Sequence, residues 1–400
     1  MEPVAVRAWT ATTALGHGVE AQRDGLLSGR SGLRRNDFGP HADGAPLPCW
    51  VGRVDGVEDA PLPPALAHWE CRNNRLAWLA LQADGMPAAL ADAVRRHGAG
   101  RIAVVVGTST AAIGATEEAY TRLRPGVDGD PAFPGDLARP AIHTVHSLGA
   151  FVQEATALQG PCMTVATACS SSAKVFAQAT RLLHAGLADA VLVGGVDTLC
   201  GSVLYGFNSL QLVARERCRP FDVDRDGLSL GEAGGFALLE RAGPGDGALK
   251  LRGYGESSDA HHMSHPHPEG AGARLAMRDA LARAGIEAGQ LGYLNLHGTS
   301  TPANDRVEAA AVAAMFPAGL HASSTKGWTG HTLGAAGIVE SVFALLALRE
   351  GLLPGTLGCT TPDPACGPQV RTHPANDRID YAMNNSFGFG GNNCSLVFGR

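Results

Sequence analysis

The stretch Gly160-Pro161-Cys162-Met163-Thr164-Val165-Ala166-Thr167-Ala168-Cys169-Ser170-Ser171-Ser172 indicates how this chain is built. The apolar run from Met163 to Ala166 predicts a buried strand, and small residues lead from it into a predicted helix over 170–185. Further strands are predicted over 102–106, 190–193, 249–254, 291–296 and 395–398, and further helices over 270–284, 305–315 and 333–349. Because strands alternate with helices, the sequence predicts an α/β protein with parallel strands.

Composition and charge exclude several classes of protein. The chain has 400 residues, of which 45% are hydrophobic and 18% charged, so it is too apolar to be disordered. Its 32 basic and 38 acidic residues give a net charge of −6, which argues against a nucleic-acid-binding role. The length fits two or three domains or one large duplicated unit. A glycine-rich stretch over 241–247 is the predicted boundary.

The sequence predicts a reduced, cytoplasmic protein without a membrane span. No secretory signal is visible at Met1, and the apolar run over 342–348 is far shorter than the roughly 20 residues that a span requires. The nine cysteines are odd in number and form no C-x-x-C pair, which disfavours a disulfide framework or a cysteine zinc site.

Cys169 is the first residue whose position indicates a chemical role. It lies just before the predicted helix over 170–185, where the helix dipole and free N–H groups would lower a cysteine pKa and favour the thiolate. The alternative is a structural cysteine whose serine neighbours cap the helix. This motif alone leaves both interpretations open.

Three other motifs contain polar residues or glycines that could serve a reaction. His297 ends a predicted strand and opens onto Gly298-Thr299-Ser300-Thr301-Pro302, where a histidine can act as an acid, a base or a hydrogen-bond donor. Lys326 and His331 precede the small residues that begin the helix over 333–349. The glycine-rich segment over 384–393 can present N–H groups to an oxyanion, although a simple β-turn is the alternative.

In combination, these four motifs resemble the β-ketoacyl-acyl-carrier-protein synthases of types I and II, within the thiolase superfamily. A cysteine with two histidines and a lysine is a set suited to nucleophilic catalysis. The resemblance implies the thiolase fold: two similar α/β halves with five-stranded mixed sheets, stacked as αβαβα. The nucleophile would lie in the half 1–246, and both histidines in the half 247–400.

The implied reaction is decarboxylative Claisen condensation of malonyl-carrier protein with an acyl group on Cys169. Acyl carrier protein would bring the substrates on its phosphopantetheine arm, and no metal or other cofactor would be needed. The resemblance implies catalytic roles for Cys169, His297, His331 and Lys326, and an oxyanion and gating role for Phe389 with Phe387. It implies that Thr299 and Thr301 bind the pantetheine arm. It also implies supporting roles for Glu308 and Asp305 and a position in the acyl pocket for Thr110. Lys326 would act through Glu308.

Arg72, Arg75 and Arg215 lie where the family tends to place residues that dock the acidic carrier protein, although ordinary solvated charge is the alternative. The cluster of His261, His262, His265 and His267 could suggest zinc, but its context matches a loop near the family's active site, so no metal is expected there.

The motif details resemble ketosynthases of bacterial aryl-polyene pathways, which implies secondary metabolism. Alternatives are a housekeeping fatty-acid elongation enzyme, a non-catalytic chain-length factor, and a coenzyme A thiolase that would use Cys394 as a second cysteine. The expected assembly is a homodimer, or a heterodimer with a related chain-length factor.

Overall fold

The structure is a computed structural model that describes residues 1–38, 46–126 and 129–400. The strands are β1 Val4–Thr13, β2 Gly16–His17, β3 Arg34–Arg35, β4 Trp50–Gly52, β5 Ile102–Gly107, β6 Arg124–Pro125, β7 Pro131–Ala132, β8 Cys162–Val165, β9 Ala190–Asp197, β10 Leu230–Gly231, β11 Ala233–Arg241, β12 Lys250–Ser258, β13 Tyr293–Asn295, β14 His321–Ser323, β15 Leu352–Leu353, β16 Ala375–Asn376, β17 Tyr381–Gly388 and β18 Asn392–Gly399. The helices are α1 Gly18–Ser28, α2 Arg72–Leu81, α3 Met86–His97, α4 Ile113–Thr121, α5 Ser147–Thr156, α6 Ser171–His184, α7 Gly201–Ser209, α8 Ala271–Ala284, α9 Pro302–Met315, α10 Lys326–Thr329 and α11 Ala336–Glu350.

Ten of these strands form two sets of five that repeat one topology. The first set is ordered β8-β5-β9-β11-β1, and the second is ordered β14-β13-β17-β18-β12. In each order the first three strands run parallel to one another. The last two strands are each antiparallel to the strand before them. The two sets meet edge to edge where Val4 and Ala5 pair with Leu251 and Lys250. The chain therefore contains two similar mixed sheets.

Helices cover both sheets and fill the space between them. The third strand of each set leads into a central helix, α6 in the first set and α11 in the second, and both helices pack in one apolar core with residues of the two sheets. Every residue from Ala336 to Leu348 of α11 is buried. Helices α2 and α5 cover the outer face of the first sheet, and α8 and α9 cover the outer face of the second. The layers follow the αβαβα order that the resemblance implies.

The two central helices touch where their first turns meet. A Cβ atom on Gly337 of α11 would collide with the backbone nitrogen of Ala173 in α6, so only glycine permits this contact. Beside it, the backbone N–H of Ile338 donates to Ser172 Oγ at 2.9 Å. This contact fixes the starts of α6 and α11 side by side, next to the chemically active loops.

Most predicted elements are confirmed with small shifts at their ends. The Pro- and Gly-rich region over 124–140 contains the short hairpin β6–β7, and residues 127–128 of it lie outside the described residues. In the part of the chain that the structure describes, no helix is both long and apolar enough to cross a membrane.

Candidate active site

Three reactive side chains converge from loops that follow parallel strands of both sheets. Cys169 lies between β8 and α6, His297 follows β13, and His331 lies between β14 and α11. His331 Nε2 lies 3.0 Å from Cys169 Sγ, and the ligand-forming atoms of all three side chains lie within 4.8 Å of one another. The two imidazole rings are nearly perpendicular, with centroids 5.3 Å apart. The structure thus brings together residues that are 162 positions apart in the sequence.

The Cys169 thiol is buried and is held in its protonated form. Burial raises its pKa to about 12, against the opposing influence of Lys326 and of a hydrogen bond from the backbone N–H of Phe389. The expectation that the helix start lowers this pKa is therefore wrong. Desolvation of the thiolate outweighs the favourable N–H groups and the positive charge.

Both histidines are neutral at physiological pH. Burial lowers the pKa of His297 well below its usual value, and the nearby charge of Lys326 and the ring of His331 add to this effect. Burial and Lys326 lower the pKa of His331 in the same direction. Within the described residues, neither Nδ1 atom has a hydrogen-bond partner. A neutral imidazole carries one N–H, so each ring can donate one hydrogen bond while it remains uncharged.

Lys326 connects the loop that begins with His297 to the central helix α11. Its ammonium group donates to the carbonyl oxygen of His297 and to Glu340 Oε1 of α11, and both charged side chains are buried. The expectation that Lys326 acts through Glu308 of α9 is wrong, because the acidic partner is Glu340 of α11. A buried charge of this kind needs a paired and hydrogen-bonded partner.

Glu308 holds the same loop from its other side. Its carboxylate accepts hydrogen bonds from the backbone N–H groups of His297 at 2.8 Å and Gly298 at 2.7 Å, and from Asn385 at 3.2 Å. Burial raises the pKa of Glu308 to about 7. The His297 peptide is thus gripped at its N–H by Glu308 and at its carbonyl by Lys326.

Asp305 supports the threonine loop in a similar way. It accepts from the N–H groups of Ser300 at 3.1 Å and Phe221 at 2.8 Å, and burial raises its pKa to about 6. Ser300 has a φ of +72°, an uncommon conformation for a residue with a side chain, and the bond to Asp305 stabilises it.

A cavity of about 290 Å³ leads to the three reactive side chains. Thr299 and Thr301 line it, with their hydroxyl oxygens 2.9 Å apart, as do Phe387 and Phe389. The Phe389 ring stacks on Phe207 at a centroid distance of 5.5 Å, and leucine side chains at 210, 212 and 228 also line the cavity. A cavity with a hydroxyl-lined side and an apolar side suits an elongated ligand that has both polar and apolar parts.

Thr110 does not line this cavity in the described part of the chain. It is 7% exposed, and its hydroxyl donates to Asp197 at 2.7 Å. The side chain is therefore committed to a buried carboxylate, and a direct acyl-pocket role for Thr110 has no support from the cavity of the single chain.

Two of the three proposed docking arginines are engaged within the protein. Arg72 binds Glu232, which is fully buried, and Glu58, while Arg75 binds Glu70 and the carbonyl of Glu58. Arg72 and Arg75 thus form ion pairs within the protein, which weighs against a docking role, although part of each side chain stays exposed. Arg215 lies on the surface.

The histidine-rich loop lies at the mouth of the cavity. His262 and His265 line the mouth, with their Nδ1 atoms 3.1 Å apart, and Met263 accepts a hydrogen bond from the backbone N–H of Gly390 at 2.7 Å. This contact joins the histidine-rich loop over 261–267 to the loop that carries Phe389. Among the described residues, the set with three convergent histidine, cysteine or acidic side chains that could hold a metal is Cys169, His297 and His331. Its soft and imidazole ligands would suit zinc.

Sequence reasoning missed several residues of this site. Glu340 carries a visible signal, because it is the one charged residue in the mainly apolar stretch over 333–348. Asp197, at the end of β9, also carries one, since it follows the buried run Ala190–Val196. Phe207 and Asn385 have no local signal, because their roles depend on contacts between distant segments.

Comparison with known proteins agrees with this site. Residues 73–244 match the beta-ketoacyl synthase N-terminal domain, and residues 249–360 match the C-terminal domain of the same family. The chain is 41% identical over 261 residues to the mitochondrial 3-oxoacyl-[acyl-carrier-protein] synthase of Arabidopsis thaliana, which covers 60% of this chain and 56% of that protein.

Two further relatives extend over more of the chain. The chain is 33% identical over 325 residues to 3-oxoacyl-[acyl-carrier-protein] synthase 2 of Vibrio cholerae, covering 77% of this chain and 78% of that protein. The ketosynthase ApeO of Xenorhabdus doucetiae, solved in complex with its chain length factor ApeC, superposes with a TM-score of 0.87 at 36% identity, covering 100% of this chain and 98% of that one. The thiolase-type fold is confirmed by this match, and the chain belongs to the beta-ketoacyl synthase family.

Proposed function

We propose that this protein is a β-ketoacyl-acyl-carrier-protein synthase that catalyses decarboxylative Claisen condensation. The observation that carries the proposal is the 3.0 Å contact between His331 Nε2 and Cys169 Sγ, with His297 beside them, at the base of a cavity lined by Thr299 and Thr301. A nucleophile adjacent to a base in a concave site is the arrangement that acyl transfer requires.

The reaction proceeds in two halves. First, Cys169 Sγ attacks the thioester carbonyl of acyl-carrier protein, a new carbon–sulfur bond forms, and the thiol proton leaves with the carrier's pantetheine thiol. Second, malonyl-carrier protein loses CO2, and the carbanion attacks the acyl-Cys169 carbonyl. The new carbon–carbon bond replaces the Cys169 thioester bond, and the released thiolate takes up a proton.

The side chains of the site divide this work. His297 and His331, both neutral, donate hydrogen bonds to the enolate oxygen that develops on decarboxylation. The backbone N–H of Phe389, which points at the Cys169 sulfur, and that of Cys169 form the oxyanion hole. Lys326 and Glu308 hold His297 in place, Asp305 holds the threonine loop, and Thr299 and Thr301 bind the pantetheine arm. Because the pKa of each histidine lies well below its usual value, neither gains a second proton near pH 7, and each keeps one N–H to donate across physiological pH.

The convergence of Cys169, His297 and His331 also fits a zinc ligand set, but we assign it to catalysis. The proposed reaction consumes no metal or separate cofactor, since loss of CO2 supplies the driving force. Phe389 and Phe387 would gate the cavity, together with the histidine-rich loop that is bonded to Gly390 next to Phe389.

ApeO, which is similar to this protein over the whole chain, forms a complex with a chain length factor, and this supports a partner of that kind. Three finer assignments follow. We propose that the enzyme works in aryl-polyene or related secondary metabolism, that it pairs with a chain-length factor or a second copy, and that it acts in the cytoplasm. We further propose 1–246 and 247–400 as its two structural units, since the strand repeat changes over between Arg241 and Lys250.

The alternatives differ in testable ways. A thiolase would need a second cysteine in the cavity, but Cys394 lies on β18 in the core between the sheets and does not line the cavity. A chain-length factor would lack the nucleophile. A housekeeping elongation enzyme would share the site and differ in its preferred acyl group.

Intact-mass spectrometry with acyl-carrier protein tests the proposal. Wild type should gain one acyl group and, with malonyl-carrier protein, release 3-oxoacyl-carrier protein; Cys169→Ala should gain none while remaining folded. Cys162→Ala, which removes a half-buried thiol outside the cavity, is the control and should be acylated normally. Acylation of Cys169→Ala, or condensation without malonyl-carrier protein, would refute the assignment.

A further inference from the structure

A buried carboxylate lies at the junction of the two halves and has no role in the reaction described above. Asp197 ends β9 and is fully buried. Its oxygens accept hydrogen bonds from Thr108 Oγ1 at 2.5 Å, from Ser109 N at 2.9 Å and Oγ at 2.6 Å, from Thr110 N at 2.9 Å and Oγ1 at 2.7 Å, and from Gly334 N at 2.6 Å. Five donors belong to the first half, and one belongs to the second.

The bond to Gly334 reaches across the junction to the segment that begins with His331. Gly334 lies three residues after His331, and Leu333 between them has a φ of +56°. A Cβ atom on Gly334 would lie 2.7 Å from both Asp197 Oδ2 and Ser109 N, so a larger residue would push the two halves apart here. Asp197 therefore holds one end of the His331 segment against the loop that follows β5.

The other end of this segment is held by backbone pairing. His331 N–H donates to the Ser229 carbonyl at 2.7 Å, and its own carbonyl accepts from Gly231 N–H at 2.9 Å. With the bond from Gly334 to Asp197, the His331 segment is fixed on both sides. Among the described residues no cation pairs with Asp197, and a buried carboxylate satisfied only by neutral donors is costly to maintain. Such a cost is expected where the anion serves the geometry of a site.

We propose that Asp197 is a positioning residue that sets the separation of His331 and Cys169 by tying Gly334 to the first half of the protein. The inference rests on the proposed function, because it assigns His331 a catalytic role. Asp197 does not touch the reacting atoms, and it acts through the 331–334 segment.

The charge of Asp197 provides a readout that a merely structural role would not change. Burial is the main cause of the raised pKa of the Cys169 thiol, and the negative charge of Asp197 adds to it. Replacing Asp197 by asparagine removes this charge, so the thiol should ionise at lower pH. At the same time the amide places an NH2 donor among N–H and O–H donors, which weakens the tie to Gly334. Condensation should therefore fall although the thiol becomes easier to ionise.

The test compares wild type, Asp197→Asn and Asp222→Asn. Asp222 is a matched control, because it is a fully buried carboxylate that accepts from the N–H groups of Asp224, Thr360 and Thr361. Condensation gives kcat and KM, and iodoacetamide alkylation of Cys169 is followed against pH. For Asp197→Asn we expect kcat to fall about 100-fold with KM nearly unchanged, and the alkylation profile to move to lower pH. For Asp222→Asn we expect no shift in the alkylation profile.

Gly334→Ala separates the geometry from the charge, and it also serves if Asp197→Asn does not fold. It should lower kcat while leaving the alkylation profile unchanged. A folded Asp197→Asn protein with wild-type kcat, an unshifted profile in that variant, or a Gly334→Ala enzyme with wild-type kcat would each overturn the inference. A wild-type enzyme that does not condense malonyl-carrier protein would instead refute the proposed function, so the two failures are distinguishable.

Discussion

Cys169 and His331 occupy equivalent positions in the two halves of the chain, and their reactive atoms lie 3.0 Å apart. Cys169 follows β8 and precedes α6, and His331 follows β14 and precedes α11. Strands β8 and β14 are each the third of their set along the chain. The site therefore forms where the starts of α6 and α11 meet, and each half contributes one of the two partners. Duplication of one topology has given two different residues to the same structural position.

The buried pair of Lys326 and Glu340 should contribute strongly to both stability and activity. Lys326→Met leaves Glu340 buried without a cation, so we expect the free energy of unfolding to fall by about 3–5 kcal/mol. The double variant with Glu340→Gln should recover part of this loss, because it removes the unpaired charge. Both variants should lose condensation activity, since the His297 carbonyl has lost its donor.

Urea unfolding measures these free energies. Arg122→Met is the control, because Arg122 forms exposed ion pairs with Glu118 and Asp136, and its loss should cost less than about 1 kcal/mol. A double variant that is less stable than Lys326→Met alone would contradict this account of the pair.

Arg72 and Arg215 should respond in opposite ways to replacement by alanine. Arg72→Ala leaves the buried carboxylate of Glu232 without its partner, so stability should fall by about 3–5 kcal/mol while the KM for carrier protein stays unchanged. Arg215→Ala should leave stability unchanged and raise that KM severalfold, because Arg215 is an exposed charge. Thermal unfolding and condensation kinetics distinguish the two effects. A raised KM in a stable Arg72→Ala protein would restore Arg72 as a docking residue.

The sequence predicts elements and motifs well, but it does not predict which charged residues pair with each other. The strand before Cys169 and the helix after it are visible as an apolar run followed by an amphipathic stretch, because burial leaves a periodic pattern. The partner of Lys326 is not visible in this way. Glu308 and Glu340 are both acidic and both near in sequence, and only the path of α11 past the histidine loop decides between them. The ion pair of Arg72 is hidden in the same way, since its partner Glu232 is 160 residues away.

The raised pKa of Glu308 should make stability depend on pH. Its pKa is about 7 in the folded protein, above the ordinary value of 4.5 that the unfolded chain would show. Between these values the unfolded state loses its proton first, so raising the pH favours unfolding. The stabilisation from protonated Glu308 is present below pH 4.5 and is lost as the pH rises through 7.

Glu308→Gln removes this titration. Between pH 5 and pH 8 the wild-type free energy of unfolding should fall by up to roughly 3 kcal/mol through this group, and the variant should not show that fall. Urea unfolding at several pH values measures the difference, and Glu2→Gln, which replaces an exposed carboxyl at the N-terminus, should follow wild type. Parallel stability curves for wild type and Glu308→Gln would show that Glu308 is ionised throughout this range.

The contact between the central helices should be sensitive to a single methyl group. In Gly337→Ala the added Cβ would collide with the backbone of Ala173, so α6 and α11 must move apart. We expect the free energy of unfolding to fall by about 1–3 kcal/mol, as in other overpacked cores. Because Cys169 lies two residues before α6, its acylation should slow about 100-fold if the helix start shifts by an ångström.

Gly206→Ala is the matched control for this prediction. Gly206 lies within helix α7, and a Cβ atom there would meet no other atom within 4 Å. Alanine should be neutral or stabilise the helix by up to about 1 kcal/mol, because glycine has the lower helix propensity. Acylation followed by intact mass should be normal in Gly206→Ala and slow in Gly337→Ala. If both variants acylate at the wild-type rate, the spacing of the two helices does not control the position of Cys169, and the site must be held by its loops alone.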